Sequence, residues 1–128
     1  MQLSIVIATL EGCPFAQLDD PRFVRRLLDE ATAAGHLTTL QVHVHKFEPQ
    51  GVTAAAVLSE SHIAIHTWPE EGNLFIDIAT CSGDASALAA FDRVLALVPH
   101  ERVKRQDIGY RGERWSPMER MAAVRAVG

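Results

Sequence analysis

The stretch VTAAAVLSESHIAIHTWPEEGNLFIDIATC, residues 52–81, decides how this chain folds. It opens on small and branched apolar residues, Val52 to Leu58. It continues into SHIAIHTW, where apolar and polar side chains alternate. A period of two marks a strand that buries one face. Residues 52–68 read either as one strand with the start of another or as one long bent strand. Pro69 to Asn73 form a turn, and LFIDIATC, residues 74–81, is strand-like again. A parallel crossover needs a dozen or more residues, and most of the strand connections are shorter. The sheet is therefore expected to be mainly antiparallel.

Upstream, LTTLQVHVHKF (37–47) alternates as a strand and meets Val52 through the turn EPQG. LSIVIATL (3–10) is a buried strand. Between these two, Asp19 or Asp20 can cap a helix with Pro21 in its first turn. Phe23, Val24, Leu27, Leu28 and Ala31 then recur at helical spacing, and Gly35 is a stop. Downstream, Asp84 caps a second helix with an apolar face of Leu88, Phe91, Leu95 and Val98, ended by Pro99. HERVKRQDIGYRG (100–112) is a polar strand and loop. SPMERMAAVRAVG (116–128) has the capping-box pattern Ser116, Pro117, Glu119 and is expected to form a short terminal helix, with 106–128 as a terminal arm. The expected architecture is an α/β (α+β) two-layer sandwich, a mainly antiparallel sheet with helices on one face, in one domain spanning 1–128. Several strands are apolar on both sides, so a second subunit is expected against the uncovered face.

The 128 residues are 48% hydrophobic, enough for a core without metal or disulfide staples. Lys+Arg 12 against Asp+Glu 16 gives a net charge of −4, which argues against nucleic-acid or anionic-membrane partners. The N-terminus lacks a basic n-region, no apolar run reaches the length of a membrane span, and two cysteines make no disulfide framework. A soluble cytoplasmic protein is expected.

Ordinary catalytic arrangements fit poorly. Ser61, between Glu60 and His62 in strand pattern, is not on the tight elbow of a serine hydrolase. A Ser61–His66 dyad within one strand fails as well, since an odd spacing puts the two side chains on opposite faces and five residues span about 16 Å. A bend or a second chain must unite them, and a two-fold dimer does so. His43, His45, His62 and His66 are numerous, but HExxH, CxxC and carboxylates at ligand spacing are absent, so no metal is expected. Cys81, ahead of a helix N-terminus, is either a reactive thiol or a buried small hydrophobe.

Taken together, HKFEPQGV (45–52), ESHIAIHTWPE (60–70), Gly72 and DIATC (77–81) closely resemble the signature of bacterial and archaeal S-adenosylmethionine decarboxylase proenzymes. The resemblance is good from Ser4 to Asp84 and fades after about Val103. It implies that Ser61 attacks the carbonyl of Glu60, that the chain is cut between them into a β-chain 1–60 and an α-chain 61–128, and that residue 61 becomes a pyruvoyl group. That group forms a Schiff base with the substrate amine, in place of pyridoxal phosphate. His66 is the implied proton acceptor in processing, Thr53 its helper and Cys81 the proton donor in decarboxylation. Phe47 would stack on adenine, Glu70 would bind the ribose hydroxyls, and the backbone near Leu58 would meet the adenine edge. The implied product feeds spermidine synthesis, and the implied assembly is a homodimer with shared sites. Ala54, Glu71, Asn73 and Ser82 depart from the usual pattern. The changes around Glu71 to Phe75 leave room for another amino-acid substrate, arginine or ornithine; an unprocessed regulatory relative is the third reading.

Overall fold

The computed structural model describes residues 1–118. Its elements in chain order are β1 (Gln2–Glu11), α1 (Phe15–Leu18), α2 (Pro21–Ala34), β2 (Thr39–Lys46), β3 (Val52–Leu58), β4 (Ser61–Trp68), a 3-10 turn (Pro69–Glu71), β5 (Asn73–Thr80), α3 (Asp84–Leu97), β6 (Arg102–Arg111) and β7 (Trp115–Pro117). The strands form one sheet in the order β2-β3-β4-β5-β1-β6-β7, and every neighbouring pair is antiparallel. β2 to β5 follow one another as hairpins. β1 is inserted between β5 and β6, so the first and last parts of the chain share the sheet.

The region left open in the sequence resolves as two strands. β3 and β4 form a hairpin in which Leu58 pairs with Ser61, and only Ser59 and Glu60 make the turn. Along β4 the residues Ile63, Ile65 and Thr67 are buried, while His62 and Trp68 on the other side are exposed. β1 and β5 alternate in the same way.

The two long helices cover the buried side. α2 starts where Asp20 accepts the Arg22 N–H at 2.9 Å, with Pro21 in the first turn. Its buried stripe of Val24, Leu27, Leu28 and Ala31 joins Ala87, Ala90, Phe91 and Val94 of α3 against Val6, Ala8, Ile63, Ile65, Ile76 and Ile78 of the sheet. The opposite face carries Ile7, Val57 and Trp68 exposed to solvent. No helix among the described residues is long and apolar enough to cross a membrane.

Two local expectations are corrected. Gly83, not Asp84, is the N-cap of α3; the Asp84 carboxylate is taken instead by the Ser4 hydroxyl at 2.5 Å and by Arg111. Ser116 and Pro117 do not open a helix. They belong to β7, paired with Gly109 and Ile108 of β6, because the exposed side of β6 offers ladder partners that outweigh a local capping pattern. Gln106 to Arg111, counted with the arm in the sequence, are an integral part of β6. The remainder of the expected terminal helix, from Glu119, lies outside the described residues.

Candidate active site

The β3–β4 turn presents Ser61. Glu60, just before it, has a backbone φ of 62°, one of two described non-glycine residues at positive φ. That conformation costs an L-residue roughly 1–2 kcal/mol. Ser59 and Glu60 are both exposed, and Ser61 is partly so. The Ser61 Oγ lies 3.3 Å from the Ser59 carbonyl oxygen and 3.0 Å from the hydroxyl of Thr80, its cross-strand partner on β5. Leu58, paired with Ser61, buries its side chain in the core, so only its backbone is available at this end. Cys81 follows Thr80 directly and is exposed, which corrects the buried-hydrophobe alternative. The buried thiol is the other one: Cys13, 3.6 Å from the Leu10 carbonyl, is pushed up to about 11 by desolvation.

At the other end of β4 a second group gathers. Phe47, Gln50, Gly51, Thr53, His66, Thr67, Trp68 and Glu70 line a cleft of about 320 Å³, a size suited to a small ligand. His66 Nδ1 stands 3.0 Å from the Thr53 hydroxyl across the β3–β4 ladder. Its ring lies 5.9 Å from that of Phe75 and 6.2 Å from that of Trp68. The turn carrying Phe47 is clamped from outside. Asp19 accepts the Gly51 N–H at 2.9 Å and pairs with Lys46 at 3.1 Å. The Gly51 amide in the first place, and Lys46 after it, hold the Asp19 carboxyl below its ordinary range. Buried Thr67 anchors the floor by donating to the Leu18 carbonyl at 2.7 Å and accepting the Val52 N–H at 2.9 Å. Glu70 is exposed on the 3-10 turn, which buries Pro69 and ends at Gly72 with φ 71°. A Cβ at Gly72 would come within 3.3 Å of the Cys13 carbonyl, so glycine is needed there twice over.

Within one chain the candidate residues thus form two groups. Ser61, Thr80 and Cys81 stand at one end of β4–β5; Phe47, Thr53, His66 and Glu70 stand at the other. The burial alternation assigns Ser61 to the parity of Ile63 and Ile65, facing the helices, and His66 to the opposite side. No group of three or more His, Cys, Asp or Glu side chains among the described residues could hold a metal ion.

This arrangement coincides with a family match. Residues 4–109 fit the sequence model of S-adenosylmethionine decarboxylase. The chain belongs to that family. It is 39% identical over 98 residues to the S-adenosylmethionine decarboxylase proenzyme of Persephonella marina, covering 77% of this chain and 74% of that one. It is 40% identical over 103 residues to the proenzyme of Methanococcus maripaludis strain C7, covering 80% and 84%. The crystal structure of adenosylmethionine decarboxylase from Aquifex aeolicus superposes with a TM-score of 0.78 at 31% identity, covering 82% of this chain and 87% of that one. The family match runs through Gly109, beyond the point near Val103 where the motif resemblance fades, because β6 is a sheet strand with no diagnostic motif.

Two residues of this decarboxylase fold escaped the sequence reading. Trp68, two residues after His66, shares its face by strand period, and that spacing was the available signal. Thr80 had none, since its link to Ser61 arises from the register of two strands.

Proposed function

We propose that this chain is a self-processing, pyruvoyl-dependent S-adenosylmethionine decarboxylase supplying an aminopropyl donor for spermidine synthesis. The observation that carries the proposal is Ser61, a hydroxyl residue placed directly after a left-handed Glu60 at an exposed hairpin tip. Processing begins when Ser61 Oγ attacks the Glu60 carbonyl carbon. A C–O bond forms, the Glu60–Ser61 C–N bond breaks, and the proton of Oγ passes to the freed amine. Removal of the Cα proton then expels the Glu60 carboxylate from Cβ. Water replaces the resulting enamine nitrogen as ammonia and leaves the keto group. The residues fit this group: both new chain ends lie at the surface, and the backbone strain at Glu60 is relieved by the cut.

His66 is the base for the Cα proton, and Thr53 holds its ring by the Nδ1 contact. His66 cannot serve the Ser61 of its own strand, so two chains pair about a two-fold axis and each lends its cleft to the hairpin tip of the other. Once formed, the pyruvoyl carbonyl supplies an electron sink for the amine of the substrate. Cys81, exposed beside residue 61, returns a proton to the substrate carbon after carbon dioxide leaves. Phe47 and Glu70 take the adenosine, by stacking and by bidentate hydrogen bonds to the ribose. Backbone at Leu58 meets the adenine edge. The unpaired thiols Cys13 and Cys81 support a reducing, cytoplasmic setting.

Denaturing intact-mass measurement tests the proposal. Fragments 1–60 and 61–128, the second with a pyruvoyl end, are expected, with Ser61→Ala remaining whole. Release of carbon dioxide from S-adenosylmethionine, and not from arginine or ornithine, completes the test. A wild-type chain that stays whole, or activity on arginine alone, would refute it.

A further inference from the structure

Thr80 is fully buried, yet it is polar and sits beside the nucleophile of the proposed processing reaction. Its Oγ1 has two neighbours: the Ser82 backbone N–H, which donates to it at 3.0 Å, and Ser61 Oγ at 3.0 Å. Ser61 Oγ also lies 3.3 Å from the Ser59 carbonyl. Ser61 has only one proton to share between these contacts. The shorter contact takes it: Ser61 Oγ donates to Thr80 Oγ1 at 3.0 Å, and the Ser59 carbonyl at 3.3 Å is the weaker acceptor. The Ser82 amide donates to the same Thr80 oxygen, which is therefore a buried acceptor fixed by the backbone that follows it.

A hydroxyl whose proton is held by a fixed, buried acceptor has little rotational freedom left. Such restriction matters for an attack on the residue's own preceding carbonyl. The reacting atoms belong to one short segment, so diffusion sets nothing, and the rate depends on the fraction of time Oγ spends in the attacking rotamer. The alternatives are easily reached at a partly exposed strand start. A buried anchor on the neighbouring strand removes them, and Thr80 is the side chain in the structure that supplies one.

We infer that Thr80 is a positioning residue for self-processing: through its hydroxyl it holds Ser61 Oγ for attack on the Glu60 carbonyl. The inference rests on the processing reading above. It concerns the first step alone, in which the Oγ–carbon bond forms, the carbon–nitrogen bond breaks and the proton moves from Oγ to nitrogen. Thr80 gains and loses no atom in that step.

The test follows processing of freshly made full-length chain by intact mass, with hydroxylamine added to samples to cleave any accumulated ester at residue 60. Thr80→Val keeps the shape and removes the hydroxyl. It is expected to slow ester formation roughly 10- to 100-fold, the order associated with a misplaced reacting group, with no hydroxylamine-sensitive species building up. Thr80→Ser keeps the hydroxyl and loses the buried methyl; it is expected to process within a few-fold of wild type. Thr80→Ala serves in place of valine where the valine chain does not fold, judged by circular dichroism, and is expected to be equally slow. Valine processing at the wild-type rate would overturn the inference. So would serine as slow as alanine, which would mean packing and not the hydroxyl, or an ester accumulating in the valine chain, which would put Thr80 in the elimination instead. A wild-type chain that itself stays whole overturns the processing reading, a result these variants cannot mimic.

Discussion

Two processing-dead chains, Ser61→Ala and His66→Ala, are expected to restore cleavage when made together. Ser61 and His66 lie five positions apart on straight β4, which corresponds to about 16 Å, and their side chains leave opposite faces. Proton transfer requires contact near 3 Å or one bridging water, so the gap within a chain exceeds what a rotamer change can close. In a mixed two-fold pair, the Ser61 of the His66→Ala chain meets the intact His66 of the Ser61→Ala chain. The reciprocal site contains neither group. Loss of a general base slows a step by roughly 10²- to 10⁴-fold, so each homodimer remains effectively whole over the assay. With equal expression and random pairing in a two-fold dimer, about half of the His66→Ala chains find a mixed partner and are cut. None of the Ser61→Ala chains is cut. The assay is co-expression with distinguishable tags on the two chains, followed by intact mass. Cleavage of neither chain, with mixed dimers demonstrated by tag pull-down, would refute the placement of one site across two chains.

Three further outcomes are expected. Glu60→Gly in the uncleavable Ser61→Ala background should raise stability by about 1 kcal/mol in urea unfolding, because glycine adopts the left-handed conformation without the Cβ penalty; an unchanged midpoint would count against strain at this site. Asp19→Ala frees both Gly51 N–H and Lys46, so the turn bearing Phe47 loosens. The expected result is a several-fold rise in KM for S-adenosylmethionine, since ordering of the binding surface is lost; an unchanged KM would refute the clamp. The third concerns pH. Burial raises the Cys13 thiol to about 11 from an unfolded value near 9, so the folded chain keeps a proton that the unfolded chain releases. Its contribution is complete below pH 9 and is lost as pH rises toward 11; comparison with Cys13→Ala across that window isolates it, and parallel curves would refute the assignment.

Much of the fold was legible because its signals are local. The alternation of SHIAIHTW set the two faces of β4, and short turns at Pro49–Gly51 and Pro69–Gly72 forced antiparallel neighbours. Asp20 and Pro21 start α2 as their residue types dictate. The misreadings share one cause. Asp84 looks like a helix cap until Ser4, 80 residues away, and Arg111, 27 residues away, claim its carboxylate. Ser116 looks like one until β6 takes it into the sheet. The site divides along the same line. The His66–Trp68 spacing on one strand face can be read along the chain, whereas the contact of Ser61 with Thr80 exists only once β4 and β5 are in register.

The place of β1 bears on what the proposed cut after Glu60 would do to the molecule. β1 enters with the first fragment, yet its ladder neighbours β5 and β6 both belong to the second. β3 and β4, joined by the turn before the cut, are left as partners from different polypeptides. The two pieces are therefore interlaced, and neither can leave without opening the sheet along both sides of a central strand. Before the cut, closing these ladders costs only the entropy of loops in one chain. After it, a thermally unfolded enzyme must bring two molecules together and thread one between strands of the other. The mature protein is expected to hold its shape by the slowness of its unfolding, and to refold poorly once lost, while the uncut Ser61→Ala chain recovers from the same denaturation.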